Sequence, residues 1–147
     1  MSLTRSAGCC LHLSALPGPG PIGDLDGAAA FVDWLVEAGL GVWQILPSSP
    51  CGHGASPYSS WSSFSGNPWF IGLKPLVEAG LLDELPRWEG RNLSQVDYRA
   101  ADDWKLPLLV QAARRFLASE HPWREGYEAF RADAHWLEEA GLYWAIK

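Results

Sequence analysis

The chain has 147 residues, enough for one ordinary domain, and its 48% hydrophobic fraction can supply a core. A formal net charge of −6, with basic residues scattered apart from Arg114-Arg115, argues against a nucleic-acid partner, which needs clustered cations to neutralise phosphates. No apolar stretch is long enough for a signal peptide or a membrane span, and Cys9, Cys10 and Cys51 have neither metal-ligand spacing nor the number for a disulfide framework, so a reduced, cytoplasmic setting without metal is expected.

Gly8 to Leu13 reads as a short buried strand, with Cys9 and Cys10 pointing to opposite faces. Leu16 to Gly23 follows, and its prolines and glycines exclude helix and central strand. Asp24 or Asp26 can cap the next helix, expected from about Gly27 to Ala38. Phe31, Trp34, Leu35 and Ala38 fall on one apolar stripe there, and Gly39 or Gly41 ends it. Val42 to Leu46 reads as a second strand. Two apolar strands joined by a helical crossover form a parallel βαβ unit, expected to be buried on both faces.

Further on, Trp69 to Ile71 is a short apolar stretch, and Leu73 to Leu82 reads as helical with Pro75 near its start. Asp83 to Val96 is polar and irregular. A helix is expected from Asp102 or Trp104 to about Ser119, since Pro107 is tolerated in a first turn. Tyr127 to His135 and Trp136 to Trp144 also read as helices, with Trp136, Leu137, Ala140 and the Tyr143-Trp144 pair on one face. No third strand is evident, and two parallel strands do not make a stable sheet alone. The apolar pattern also runs to the last residues without a cap. The expectation is therefore an N-terminal piece of something larger.

The most informative segment is Pro47 to Pro68. It combines eight serines with Tyr58, Trp61 and Phe64 and contains no charged residue. Both strands lead at their carboxyl ends into such loops, the edge on which sites of parallel α/β folds are built. Exposed aromatic rings among neutral hydroxyls suit a ligand that itself has hydroxyls and apolar faces, and a sugar fits. Trp61, Phe64 and Trp69 are expected to form core beneath the loop, and Gly66-Asn67-Pro68 a turn.

Four blocks resemble the opening of the amylomaltases, the 4-α-glucanotransferases of glycoside hydrolase family 77. They are Gly8 through Pro19 (GCCLHLSALPGP), Pro21-Ile-Gly-Asp-Leu, Trp43-Gln-Ile-Leu-Pro, and Gly52 through Trp69. Val96-Asp97-Tyr98, Trp104-Lys105 and the Trp136 helix match less specifically. The chain departs from the family pattern at Ala55, where an Asp is usual, and at His53, often a Tyr.

The resemblance implies a (β/α)8 barrel with insertions. Residues 1–68 would form its first βαβ units with a substrate loop, and 69–147 a mainly helical insertion or continuation of the same catalytic domain. It implies transfer of α-1,4-glucan segments to glucose or maltodextrin acceptors, through a covalent glycosyl-enzyme intermediate made by an Asp nucleophile, with a Glu acid/base and a second, stabilising Asp. No cofactor is implied. The partners are α-1,4-glucans (maltodextrins, starch, glycogen), glucose, and the remainder of the catalytic domain. In this chain the resemblance points to Tyr58 as a ring stacked on a donor-side sugar, with Tyr98 as a secondary glucan contact and His53 at an outer one. Ser56 and Ser60 either bond sugar hydroxyls or hold the turn, and Pro57 sets the approach to Tyr58.

Retaining transfer needs two carboxyl groups about 5 Å apart. No Asp or Glu lies between Ala38 and Val77, and Asp24 and Asp26 read as helix caps. The catalytic acids are thus expected beyond residue 147, leaving no catalytic residue here and the chain inactive alone. His12 and Ser14 lack the glycine-flanked elbow of a nucleophile, so His12 reads as a satisfied strand-end histidine. No phosphate-binding GxxxxGK[ST] loop is present. The rivals are an α-glucan hydrolase and a non-catalytic glucan-binding module.

Overall fold

The computed structural model describes residues 5–90 and 95–146; the side chain of His53 lies outside what is described. It is a mixed α/β arrangement, with a small parallel sheet at one end and helices over the rest. Strands β1 (Gly8–Cys10) and β2 (Val42–Gln44) pair in parallel, Gly8 opposite Val42 and Cys10 opposite Gln44. Helix α1 (Ala28–Glu37) is the crossover between them. The Leu11 amide donates to the Gln44 carbonyl at 3.0 Å and the Trp43 indole to the Leu11 carbonyl at 2.9 Å, tying the strand ends together.

The strands are shorter than expected. Past Leu11 the chain turns into a 3-10 segment, Leu13–Ala15, because Gly23 returns against it and its amide donates to the Ser14 carbonyl. Gly23 passes so close to the Leu13 and Leu16 carbonyls that no Cβ fits there. The strands are also not buried on both faces: Gly8, Cys10, Val42 and Gln44 are exposed. The α1 stripe is narrower too. Leu35 is buried and Phe31 half-buried with its edge 4.9 Å from Trp43, but Trp34 and Ala38 are exposed. Gly39, at φ +70°, ends the helix, and the Leu40 amide reaches back to the Leu35 carbonyl.

The helical part has three main members beyond a short one. Helix α2 (Lys74–Glu78) has Pro75 in its first turn and is cut short at Gly80, φ +71°. Helix α3 (Tyr98–Ala118) begins earlier than expected, capped by Asp97, whose carboxylate accepts from the Ala100 amide at 3.0 Å. Pro107 therefore lies inside the helix rather than in its first turn. The carbonyl four residues back belongs to Asp103, and both residues face solvent, so water can serve it. Helices α4 (Arg124–Asp133) and α5 (Leu137–Ile146) follow. The Arg124 guanidinium donates to the Phe116 and Ser119 carbonyls at 2.8 and 2.9 Å, closing the end of α3 while lying over the Phe116 ring.

Two hydrophobic clusters form the core. Leu13, Leu16, Ile22, Phe70 and Ala101 join the sheet-end loops to α3. Leu73, Leu81, Leu82 and Ala112 join α2 to the middle of α3. Between them lies a buried ion pair. Lys105 Nζ sits 2.6 Å from the Asp24 carboxylate and donates to the Trp69 carbonyl at 2.7 Å.

Candidate glucan-binding surface

The loop after β2 is shaped by its own polar groups. Cys51 and Ser60 form an isolated antiparallel bridge, and the Gly52 amide donates to the Ser59 carbonyl at 2.5 Å. The pinched segment turns through Gly54 and Ala55, both in the left-handed region at φ +80° and +54°. Glycine adopts that conformation freely, whereas alanine is disfavoured there by about 1–2 kcal/mol. Asn67 caps the 3-10 turn Pro68–Phe70, accepting from the Trp69 amide.

This folding puts Tyr58 at the tip. Its side of the loop is set by Pro57 and by the Ser56 hydroxyl, which accepts from the Tyr58 amide at 3.3 Å. The residue is 75% exposed, so the ring face is free for a ligand. Ser60 holds the turn: its hydroxyl donates to the Ser62 carbonyl at 2.6 Å and accepts from the Ser62 amide. Ser56 keeps its hydroxyl proton uncommitted among the described residues.

Tyr98 stands elsewhere, at the first turn of α3. Its ring lies 4.9 Å from that of Trp69, and the Trp69 indole donates to Asp102. These residues line a cleft of about 520 Å³ with Pro50, Cys51 and Ala55. The structure thus brings the Gly52–Ala55 turn and Tyr98 to one cleft, while Tyr58 projects separately. His53 opens that turn by its backbone, and its side chain is outside the described part.

Other groups are chemically committed. Asp24 caps the short turn Leu25–Gly27, accepting from the Asp26 amide, as expected of a capping residue. Its second oxygen, however, is locked onto Lys105. Burial lifts the Asp24 carboxyl above its ordinary value and depresses Lys105, with their contact working the other way. A fully enclosed, ion-paired carboxylate cannot reach a glycosidic oxygen. Asp26 accepts from the Lys74 amide at 2.9 Å. Burial pushes the Cys51 thiol up, with a smaller opposing effect from Asn67, which disfavours the thiolate form that a nucleophile needs. His12 is not the satisfied histidine expected. Nδ1 bonds Ser14 Oγ at 2.8 Å, but Nε2 is buried without a partner among the described residues, edge-on to Phe70.

Trp61 and Phe64 also differ from the core placement expected. Phe64 is 64% exposed, and both rings face the α4–α5 region rather than the sheet. The buried Lys105 was the residue most hidden in the sequence. One signal was available: Ala101, Lys105 and Ala112 share the face of α3 that turns inward.

The four-block pattern has a counterpart in known proteins. A family model described as 4-alpha-glucanotransferase matches residues 11–147. The chain belongs to this 4-alpha-glucanotransferase family. Over 152 residues it is 43% identical to a 4-alpha-glucanotransferase of Thermus thermophilus, a match covering all of this chain and 30% of that protein. A chloroplastic/amyloplastic 4-alpha-glucanotransferase of Solanum tuberosum is 41% identical, over 97% of this chain and 26% of its own length. Among solved structures, an amylomaltase from Streptococcus agalactiae in complex with acarbose superposes with a TM-score of 0.82 at 32% identity, over 98% of this chain and 30% of that one. This glucanotransferase family member therefore spans about 30% or less of the length of these relatives. Among its described residues no group of His, Cys, Asp and Glu is placed to hold a metal ion, and no helix is long and apolar enough to cross a membrane.

Proposed function

We propose that this chain supplies a sugar-contact surface of a 4-α-glucanotransferase, which moves α-1,4-glucan segments to glucose or maltodextrin acceptors in maltodextrin or glycogen turnover in the cytoplasm. The observation that carries the reading is the Tyr58 ring, held at the tip of an uncharged serine-rich loop with its face open. Such a ring can cover the apolar C–H face of a glucose unit and lie near developing oxocarbenium charge. In this reading Ser56 offers its free hydroxyl proton, Ser60 and Pro57 hold the loop, and Tyr98 and His53 make a secondary contact at the cleft. β1, α1 and β2 are the opening units of a (β/α)8 barrel, and the 69–147 segment is a helical insertion or continuation.

The acids of the reaction come from outside these 147 residues. Asp24 and Asp26 are bound to Lys105 and to the Lys74 amide, and the substrate loop has no carboxylate of its own. That balance, aromatic contacts without an available carboxyl pair, favours glucan binding without turnover by the chain alone.

Purified chain given maltotriose should release no glucose. The same chain in place of the matching segment of the Thermus thermophilus relative should give a ladder of longer maltodextrins, whereas a hydrolase would give only shorter ones. In that fusion Tyr58→Ala should lower kcat/KM roughly 2- to 30-fold, the range of a ring–cation contact. Turnover by the chain alone that Asp24→Asn abolishes, or an unchanged Tyr58→Ala, would overturn the reading.

A further inference from the structure

A second aromatic cleft has neither Tyr58 nor Tyr98 in its lining. Loop residues Trp61 and Phe64 meet the start and first turns of α5, enclosing about 510 Å³. Trp136, Glu139, Ala140 and Tyr143 follow helical spacing and so present one face. The Phe64 and Trp136 rings are nearly parallel, 16° apart with centroids at 6.2 Å. Trp61 leans on Tyr143 at 4.8 Å and meets Trp144 edge-on at 5.2 Å, so the far wall is aromatic as well. Trp144 itself lines the cleft at Tyr98, so the two clefts adjoin across the Trp61–Trp144 contact while their own linings have no residue in common.

Its polar groups distinguish it from an ordinary apolar seam. Glu139, Ser63 and His135 are among its lining residues, all three are solvent-exposed, and none makes a side-chain hydrogen bond among the described residues. Ser62 is different, since its hydroxyl already serves the Phe64 and Ser65 amides. Flat aromatic faces beside uncommitted acceptors and donors are the composition of a site for a neutral polyhydroxyl ligand. A carboxylate can accept from two neighbouring hydroxyls of one sugar ring while an aromatic face covers that ring's C–H side.

We propose that this cleft is an additional α-glucan-binding patch, with Trp136 and Phe64 as the stacking floor and Glu139 as the hydroxyl acceptor. It rests on the reading of the chain as a glucan-handling protein. It would hold a chain segment apart from the Tyr58 tip. The competing occupant is protein: in a longer chain, further residues could cover these rings and leave no room for sugar.

The test is calorimetric titration of the chain, at low protein concentration, with maltoheptaose. Trp136→Ala should weaken binding about tenfold, the size of one lost aromatic contact. Glu139→Ala, an exposed change that leaves the fold intact by circular dichroism, should weaken it several-fold, while Tyr58→Ala retains this component. If Trp136→Ala misfolds, Glu139→Ala decides alone. Unaltered affinity in the Glu139 variant, or no binding by the wild type, overturns the proposal. Loss only with Tyr58→Ala overturns this patch but leaves the glucan reading standing, and that reading is judged separately by the maltodextrin ladder of the fusion.

Discussion

Lys105 is the residue on which the packing turns. It is fully buried, and two of its three donor directions are used, one on Asp24 and one on the Trp69 carbonyl, groups from two other parts of the chain. Taking two charges out of water costs several kcal/mol per ion, and the contact between them mainly offsets that cost. The asymmetry gives a prediction. Lys105→Met alone leaves a buried carboxylate unpaired and should lower stability by about 3–5 kcal/mol, read from the urea midpoint at constant slope. The double change Asp24→Leu with Lys105→Met should recover most of the loss. If the single variant lost less than 1 kcal/mol, the pair would be incidental to the fold. The small residues Ala101 and Ala112 on the same face of α3 could mark Lys105 as inward, but nothing local named its partner, which lies 81 positions away. By contrast, the Tyr58 tip was legible, because prolines, glycines and serines around an aromatic residue admit few conformations that hide it.

Elements are joined by exposed contacts as well as by core. Arg115 of α3 holds Asp83, after α2, in a two-pronged contact at 2.8 and 3.0 Å. The guanidinium hydrogen bond holds the Asp83 carboxyl below its ordinary value. A depressed folded-state value means that the contribution is present above the ordinary carboxylate range and is lost as pH falls through the lowered value. A carbon-detected titration should place the Asp83 midpoint below that of a reference aspartate, and Arg115→Leu should return it upward. An unmoved midpoint in the variant would show that the contact is not formed in solution.

The same scale shows why some boundaries were readable and others not. Phe31 and Leu35 announce α1 by their spacing, and the strands flanking it follow from short apolar runs. Their lengths do not: β1 gives way where the distant Gly23 returns against the following turn, and β2 ends just before the proline-rich loop that starts at Pro47. The start of α3 was placed too late because Pro107 argues for a first turn. The Asp97 cap outweighs that argument only because Pro107 and Asp103 look onto water.

At the scale of the molecule, the apolar surface is uneven. Val32, Trp34 and Val36 of α1, and Val42 and Ile45 at β2, are all at least 44% exposed. They flank a sheet that has two strands among the described residues, with no described strand paired to its outer edges, where backbone groups are open to pairing. Scattered exposed apolar residues are ordinary, but a group this close to an open strand edge is a surface that buries itself on whatever is available. In solution the available partner is another copy. The 147-residue chain should therefore self-associate as its concentration rises, with the weight-average mass in sedimentation equilibrium climbing above 16.1 kDa. Ile45→Lys, which places a charge beside that edge, should shift the onset to higher concentration, while a charge at Phe130, away from the sheet on α4, should shift it much less. A chain that stays monomeric across the accessible range would mean that the exposed group is too dispersed to act as one surface. Equal effects of the two charges would mean instead that association runs through the helices and not through the sheet.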